Sequence, residues 1–360
     1  MKMTLRWFAK NEDSVKLEQI RQIPGVKGVI SALHHIPAGE VWPLDDIIKL
    51  KETVESKRLK LIGIESVNVH EDIKIGLPSR DKYIENYKKT LINLAKAEID
   101  LVCYNFMPIF DWTRTELAKE LSDGSKVLSY NEKIINGIKA EEMFERIENS
   151  SEGFLMPGWE PNRKSEIMSL FEKYKDVTKK VLLSNYKYFL DEIIPICEEY
   201  KIKMAVHPDD PAWDVFGLPR IVTCERDMEK IIELNSSVYN GFTLCTGSLG
   251  SNKNNDIPSI IKNKKIAERI HFAHIRNIKF EGDRVFHESS HLSCDGSLDM
   301  FRIVKSLIDN GFDGVVRPDH GRMIWNEKAR PGYGLYDRAL GVAYLNGLWE
   351  AIIKSRDEVQ

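Results

Sequence analysis

No apolar run in the 360-residue chain is longer than a β-strand. A membrane span needs about 20 apolar residues, so none is expected. Cysteine is scarce: Cys103, Cys197, Cys224, Cys245 and Cys294, an odd number with long spacings and no C-x-x-C. That argues against a disulfide framework and suits free thiols in a reducing compartment. Neither sign of charge is in excess. Lys plus Arg is 52 and Asp plus Glu is 55, a net charge of −3 with no basic run. Nucleic acid and anionic membrane are therefore poor choices of main partner. The first residues, MKMTLRWFAKNEDS, hold neither an apolar signal core nor a small-residue cleavage site, so a cytoplasmic protein is expected. The phosphate-loop pattern G-x-x-x-x-G-K-[ST] is missing, as are internal repeats and low-complexity tracts. CTGSLGS carries two glycines, which is weak evidence for an anion site.

What is present is a large apolar complement. Hydrophobic residues make up 42%, enough for a sizeable core and incompatible with disorder. The length suits two ordinary domains or one α/β barrel. Eight β-rich runs lie at 5–9 (LRWFA), 26–33 (VKGVISAL), 60–66 (KLIGIES), 100–106 (DLVCYNF), 203–207 (KMAVH), 241–246 (GFTLCT), 270–275 (IHFAHI) and 314–319 (GVVRPD). Helical periodicity fills the gaps, at 44–57, 80–98, 165–200, 226–234, 298–310 and from about 336 to 354. In the longest of these, Ile167, Leu170, Phe171, Tyr174, Val177 and Val181 recur at threes and fours, and Pro195 predicts a kink or a boundary. Strands such as VKGVI are nearly continuously apolar, as strands covered on both faces are. Eight strand–helix pairs predict an α/β fold, a (β/α)8 TIM barrel. A doubly wound open sheet shares the alternation but not the count.

The chain reads as a single domain over 1–360 with one abnormal connection. Nearly 60 residues separate the fourth strand from the helix at 165, against about 2–6 in an ordinary βα loop. Residues 107–163 hold Trp112, Trp159, Pro157-Gly158 and a charged helical piece at 131–149. They predict an inserted, helical, lid-like segment.

In such a barrel, active residues gather where the strands stop. Strand five ends in His207, six in Cys245, seven in His274 and eight in Asp319. Each has an ordinary alternative. A strand cysteine is usually a small buried hydrophobe, and Asp319 can cap the next helix. Four at consecutive strand ends make a set suited to a divalent transition metal. The thiol disfavours Mg²⁺ and Ca²⁺, leaving Mn²⁺, Fe²⁺, Co²⁺ or Zn²⁺. Arg276 and Asn277 follow strand seven, His320 follows strand eight, and Tyr333 sits in RPGYG. Arginine suits a carboxylate, and His320 and Tyr333 suit proton transfer. Arg317, Arg322 and Arg330 add positive charge nearby.

His287-Glu288-x-x-His291 matches the zincin pattern, which works only on a helix. Ser289, Ser290 and Gly296 disfavour that helix. The run reads as a mouth loop, solvated or touching substrate through His291.

Several stretches together resemble mannonate dehydratases: QIPGVKGVISALHHIPAGEVW, VHPDDP, CTGSLG, HFAHIRN, HLSCDGSLDM, RPDHGRMIW and RPGYGLYDRALG. The likeness runs from about Trp7 to Leu348. It implies a TIM barrel that removes water from D-mannonate to give 2-keto-3-deoxy-D-gluconate in hexuronate (glucuronate) breakdown. It implies Mn²⁺ or Fe²⁺ on His207, Cys245, His274 and Asp319. It places the family's histidine and tyrosine on His320 and Tyr333, with Tyr336 the competing tyrosine.

The residues then permit a β-elimination. Arg276 is expected to hold the substrate carboxylate or share its developing charge. His320 and Tyr333 are the expected acid and base, in either order, with Asp319 a possible participant. A tyrosine base needs its pKa lowered from about 10, here by metal or arginine. The alternatives are a metal-dependent sugar isomerase, a dehydratase of another sugar acid, and a non-catalytic sugar-acid binder. A two-metal isomerase needs more carboxylates than Asp319 with Glu65 and Asp209. A homodimer is the expected assembly.

Overall fold

The computed structural model describes residues 1–9, 12–150 and 163–357. Pro157, Gly158 and Trp159 lie outside the described residues. The described strands, in chain order, are β1 (Lys2–Arg6), β2 (Val26–Ser31), β3 (Lys60–Glu65), β4 (Leu101–Tyr104), β5 (Glu116–Glu120), β6 (Lys126–Asn131), β7 (Lys203–Val206), β8 (Asn240–Cys245), β9 (Ile270–His274), β10 (Ile278–Gly282), β11 (Val285–Glu288) and β12 (Val315–Arg317). Eight of them close a barrel in the order β1-β12-β9-β8-β7-β4-β3-β2. Every pair in it is parallel. The eight expected strands are these eight, so the (β/α)8 TIM barrel is the fold.

Alternation explains why the strands are so apolar. In β4, Leu101 and Cys103 join a small inner cluster with Ile30, Ala205, Phe272 and Val315. Val102 and Tyr104, one residue on, join the larger cluster between barrel and helices. Both faces of the sheet are thus dry. The helices bury one stripe each. In Leu44–Glu55, the stripe is Ile47, Leu50 and Val54, spaced by three and four. Each such side chain contributes about 1.5–3 kcal/mol on burial.

The expected helix at 165–200 is two helices, Lys164–Tyr174 and Lys179–Tyr200. Thr178 starts the second, its hydroxyl accepting from Val181 N–H. Pro195 lies inside that helix without ending it. The first strand ends at Arg6, three residues earlier than expected. Beyond it, Phe8 N–H turns to the Asp13 carboxylate and Ala9 takes a positive φ of 73°.

A second sheet, in the order β10-β11-β6-β5, is antiparallel and was not foreseen. Its β5–β6 hairpin belongs to the segment at 107–163, which continues as the helices Glu132–Gly137 and Ala140–Ser150. Its β10–β11 hairpin follows barrel strand β9. Phe286 opposite Tyr130 and His287 opposite Ser129 join the two hairpins. Lys126 and Met323 exchange backbone hydrogen bonds of 3.0 and 2.8 Å, tying in the loop after β12. The solvated reading of 287–291 is therefore wrong. Glu288 is fully buried, and His287, Ser289, Ser290 and His291 are buried too. The physical reason is their place: β11 is an inner strand, with β10 on one side and β6 on the other.

Candidate active site

The barrel's C-terminal face opens into a cleft of roughly 1250 Å³, counting space open to solvent. Its inner end is lined by Arg6, Glu65, His207, Arg317, Asp319, His320 and Tyr333, with Trp112 across from them.

His207, Cys245 and His274 present ligand atoms that all lie within 4.8 Å of one another. His207 Nδ1 sits 2.7 Å from the Pro208 carbonyl. That contact fixes the tautomer with N–H on Nδ1 and leaves the Nε2 lone pair free, the usual preparation of a histidine ligand. His274 is fully buried and its Nε2, 3.5 Å from Glu65 Oε2, has no hydrogen-bond partner among the described residues. Cys245 is also fully buried, with Ser248 Oγ at 3.0 Å and Asp319 Oδ2 at 3.6 Å from Sγ. Asp319 Oδ1 is 3.8 Å from His274 Nδ1. Two imidazoles and a thiol converging beside a carboxylate are a donor set that fits Mn²⁺, Fe²⁺, Co²⁺ or Zn²⁺. A second trio, Glu65, Cys103 and His274, shares His274. Arg6 and Arg317 lie against its Glu65, so a cation there meets two positive neighbours.

Asp319 takes a positive φ of 60° directly after Pro318. Such a backbone needs support. Arg276 Nε reaches Asp319 Oδ2 at 2.8 Å and Arg317 Nη2 reaches Oδ1 at 2.8 Å. Burial alone would raise this carboxyl's pKa. Arg317, His320, His274 and Arg276 outweigh it and hold the group well below the usual carboxylate range.

Arg276 does not occupy the place expected of it. It is fully buried and absent from the cleft lining. Its Nε is held by Asp319, its Nη1 by Glu288 at 2.7 Å, and its Nη2 by Asp210 at 2.7 Å. All three nitrogens already have carboxylate partners, and the group does not line the cleft. Its side chain ties Asp319 to Glu288 and Asp210.

Asn277, too, is a tie within the fold. Its side chain donates to the Leu292 and Leu298 carbonyls. Arg322 pairs with Asp337. Arg330 lines the cleft and stacks on Phe8. His291 binds the Pro318 carbonyl at 2.6 Å and lies off the cleft. Asp209 accepts from the backbone of Ile221 and Val222, a structural role.

His320 and Tyr333 face each other, Nε2 to hydroxyl, at 2.9 Å. Trp112 packs edge-on against His320, with centroids 5.4 Å apart. Tyr336, the competing tyrosine, is instead exposed and packs on Trp325. The lowered tyrosine pKa expected above is not found. Burial pushes the Tyr333 phenol up, and Arg317 offsets this only in part. Burial therefore favours the protonated phenol, whose hydroxyl shares a hydrogen bond with His320 Nε2.

The sequence missed one member of this site. Glu288 Oε1 lies 3.5 Å from His320 Nδ1, on the far side of the ring from Tyr333. It also accepts from Arg114 and Arg276, at 2.7 Å each. Burial opposes ionisation of Glu288, but Arg276 and Arg114 more than offset it and bring its pKa down to about 2. The only signal was the glutamate of H-E-x-x-H, read for the wrong chemistry. Asp210 completes the network, accepting from Arg114 through both oxygens at 2.8 and 3.0 Å.

A closed parallel barrel with this cleft at its C-terminal face is an enzyme scaffold, and the donor set at its inner end is a candidate metal centre. The comparisons with known proteins give the particular family. The D-mannonate dehydratase (UxuA) family matches residues 1–358. Mannonate dehydratase of Thermotoga neapolitana is 57% identical over 357 residues, 99% of each chain. That of Geobacillus thermodenitrificans is 58% identical over 352 residues, 98% of this chain and 95% of its own. The crystal structure of mannonate dehydratase from Streptococcus suis superposes with a TM-score of 0.89 at 42% identity, covering 99% of this chain and 96% of the other. The chain belongs to the D-mannonate dehydratase family of hydro-lyases. A D-psicose 3-epimerase, 11% identical with a TM-score of 0.55, covers 97% of this chain and 99% of its own and shares the barrel alone.

Proposed function

We propose that this enzyme carries out its family's reaction, loss of water from D-mannonate, at the inner end of the cleft, and that the product is 2-keto-3-deoxy-D-gluconate. One observation carries the assignment of residues: the 2.9 Å contact of His320 with Tyr333 in a cleft shared with His207 and Asp319.

The substrate has a weakly acidic proton on C2 and a hydroxyl on C3. The C2–H and C3–O bonds break, a C2=C3 double bond forms, and water leaves. The resulting enol takes a proton at C3 to become the ketone. His320 Nε2 is the base for the C2 proton, its lone pair freed as Tyr333 turns its hydroxyl to the departing C3 oxygen. Tyr333, kept protonated by burial, is the acid that protonates the departing C3 hydroxyl. Glu288 faces His320 Nδ1 at 3.5 Å without a hydrogen bond, and Trp112 closes one side of the ring. Arg276 and Arg317 hold Asp319 in its left-handed turn. A divalent Mn²⁺ or Fe²⁺ on His207, Cys245, His274 and Asp319 would supply Lewis-acid stabilisation of the negative charge that develops on the substrate oxygens.

The test is to strip the protein with chelator, restore Mn²⁺ or Fe²⁺ under reducing conditions, and follow 2-keto-3-deoxy acid formation from D-mannonate. Turnover that depends on added metal is the expected result. Metal bound without turnover would show the substrate to be wrong.

The setting we infer is the cytoplasm, within hexuronate breakdown, on a homodimer. Free cysteines suit that compartment. No helix among the described residues is long and apolar enough to cross a membrane. Exposed Trp325, Tyr336 and Leu340 lie close enough in sequence to give a dimer an apolar contact.

A further inference from the structure

Two arginines line the inner cleft with bare donors. Arg6 is the last residue of β1 and Arg317 the last of β12, and these strands are neighbours in the barrel. Arg6 is 6% exposed and Arg317 is 2% exposed. In each, Nε and Nη1 are buried without a hydrogen-bond partner among the described residues. Their neighbouring carboxylates do not reach those atoms well. Glu65 Oε1 and Asp319 Oδ1 both crowd onto Nη2 of Arg317, at 2.8 Å each. The other Glu65 oxygen pairs with Arg6 Nη1 at 3.5 Å without a hydrogen bond.

Arg276, which does not line the cleft, is treated differently. Arg276 is equally buried and all three of its nitrogens are engaged. Arg220 also leaves Nε and Nη2 bare, but it does not line the cleft. Buried donors without acceptors are costly and rare. Where they belong to two guanidinium groups on a cleft wall, the acceptor they lack is one that enters the cleft. Its chemistry follows from theirs: a planar group with two negatively charged oxygens, which guanidinium binds in a fork.

We propose that Arg6 and Arg317 together grip the C1 carboxylate of the substrate. The inference rests on the sugar-acid reading above and names the residues that anchor that acid. It gives them the role the sequence offered to Arg276. The placement suits the reaction. The Arg317 guanidinium carbon lies 5.9 Å from the centre of the Tyr333 ring. A carboxylate held there brings C2 and C3, one and two carbons away, to the His320–Tyr333 pair.

Arg6 is the residue to change, because its side chain makes no hydrogen bond among the described residues and does not touch Asp319. The probes are 3-deoxy-D-mannonate, which has no C3 hydroxyl to lose, and its uncharged amide. Binding of both is measured by calorimetry on metal-loaded wild type, Arg6→Met and Arg6→Lys. Wild type is expected to prefer the acid by about 10- to 100-fold, the range for charge-assisted hydrogen bonds. Arg6→Met is expected to lose most of that preference by weakening the acid alone. Arg6→Lys, which keeps charge but not the fork, is expected to fall between. A preference that survives in Arg6→Met overturns the proposal. So does a loss of amide binding equal to the loss of acid binding in both variants, since that marks a structural role. Turnover of D-mannonate by the unmodified enzyme decides the functional reading separately. If that fails, the grip is judged on D-gluconate. Binding that is absent from wild type, or equal in wild type and Arg6→Met, then overturns it.

Discussion

Replacing Tyr333 by phenylalanine separates chemistry from folding. The substitution removes one oxygen and keeps the ring. The edge-on contacts with Phe8 at 4.8 Å and His320 at 4.9 Å survive. What is lost is the 2.9 Å hydrogen bond to His320 Nε2. A neutral hydrogen bond contributes about 0.5–1.5 kcal/mol net, and a buried partner left bare costs about 1–3 kcal/mol. His320 is 4% exposed, so the stability loss should be near the cost of a buried group left bare, about 1–3 kcal/mol. Natural proteins have about 5–15 kcal/mol in hand, so the variant stays folded. The effect on rate is on another scale. A positioned general acid contributes about 10²- to 10⁴-fold, which is about 3–5 kcal/mol of barrier. The assay is steady-state formation of the 2-keto-3-deoxy acid, with bound metal and thermal midpoint measured on the same sample. The expected result is kcat lower by at least about 10²-fold, metal content unchanged and a midpoint lower by a few degrees. A kcat within about threefold of wild type would refute the acid role. A parallel loss of metal would refute the separation of the pair from the ligand set.

Three further outcomes are expected. Cys245→Ser removes the soft donor, and metal content after dialysis should fall at least about tenfold, while unchanged content would take the thiol out of the set. Glu288→Gln leaves Arg114 and Arg276 short of a buried charge, at a cost of about 3–5 kcal/mol near neutral pH by urea unfolding. Because the folded pKa of Glu288 is depressed to about 2, against about 4.3 unfolded, its contribution of about 3 kcal/mol is full above the unfolded value. It is lost as pH falls from about 4.5 towards 2, so the metal-free wild type should lose more stability over that window than Glu288→Gln. Equal acid profiles would show that the carboxylate is not ionised in the fold. Gly247→Ala puts a methyl group 2.4 Å from the Arg276 guanidinium carbon. It should cost about 1–3 kcal/mol of stability and lower kcat without touching the cleft, and a fully active, equally stable Gly247→Ala would show that Arg276 is free to move.

The sequence alone determined the barrel and four of the polar strand ends. Apolar runs at regular intervals, broken by helical periodicity, report burial on both faces of a parallel sheet, which is a local property of the chain. His207, Cys245, His274 and Asp319 were legible because a polar residue at the end of an apolar run is visible without knowing its neighbours. His320 and Tyr333 were legible as polar residues following strand eight, and the family resemblance added to that reading. The second sheet was not legible. Its strand β5, ELAKE, has little β character of its own, and the sheet is held by pairing Tyr130 with Phe286, far along the chain. For the same reason Glu288 passed for a solvated residue. Its partner Arg114 is 174 positions away, and Arg114's other partner, Asp210, is 96 positions from Arg114. The carboxylate role of Arg276 failed because residue type says only what a side chain can bind. Whether its donors are already taken is decided by tertiary neighbours, and these left bare the donors of Arg6 and Arg317 instead.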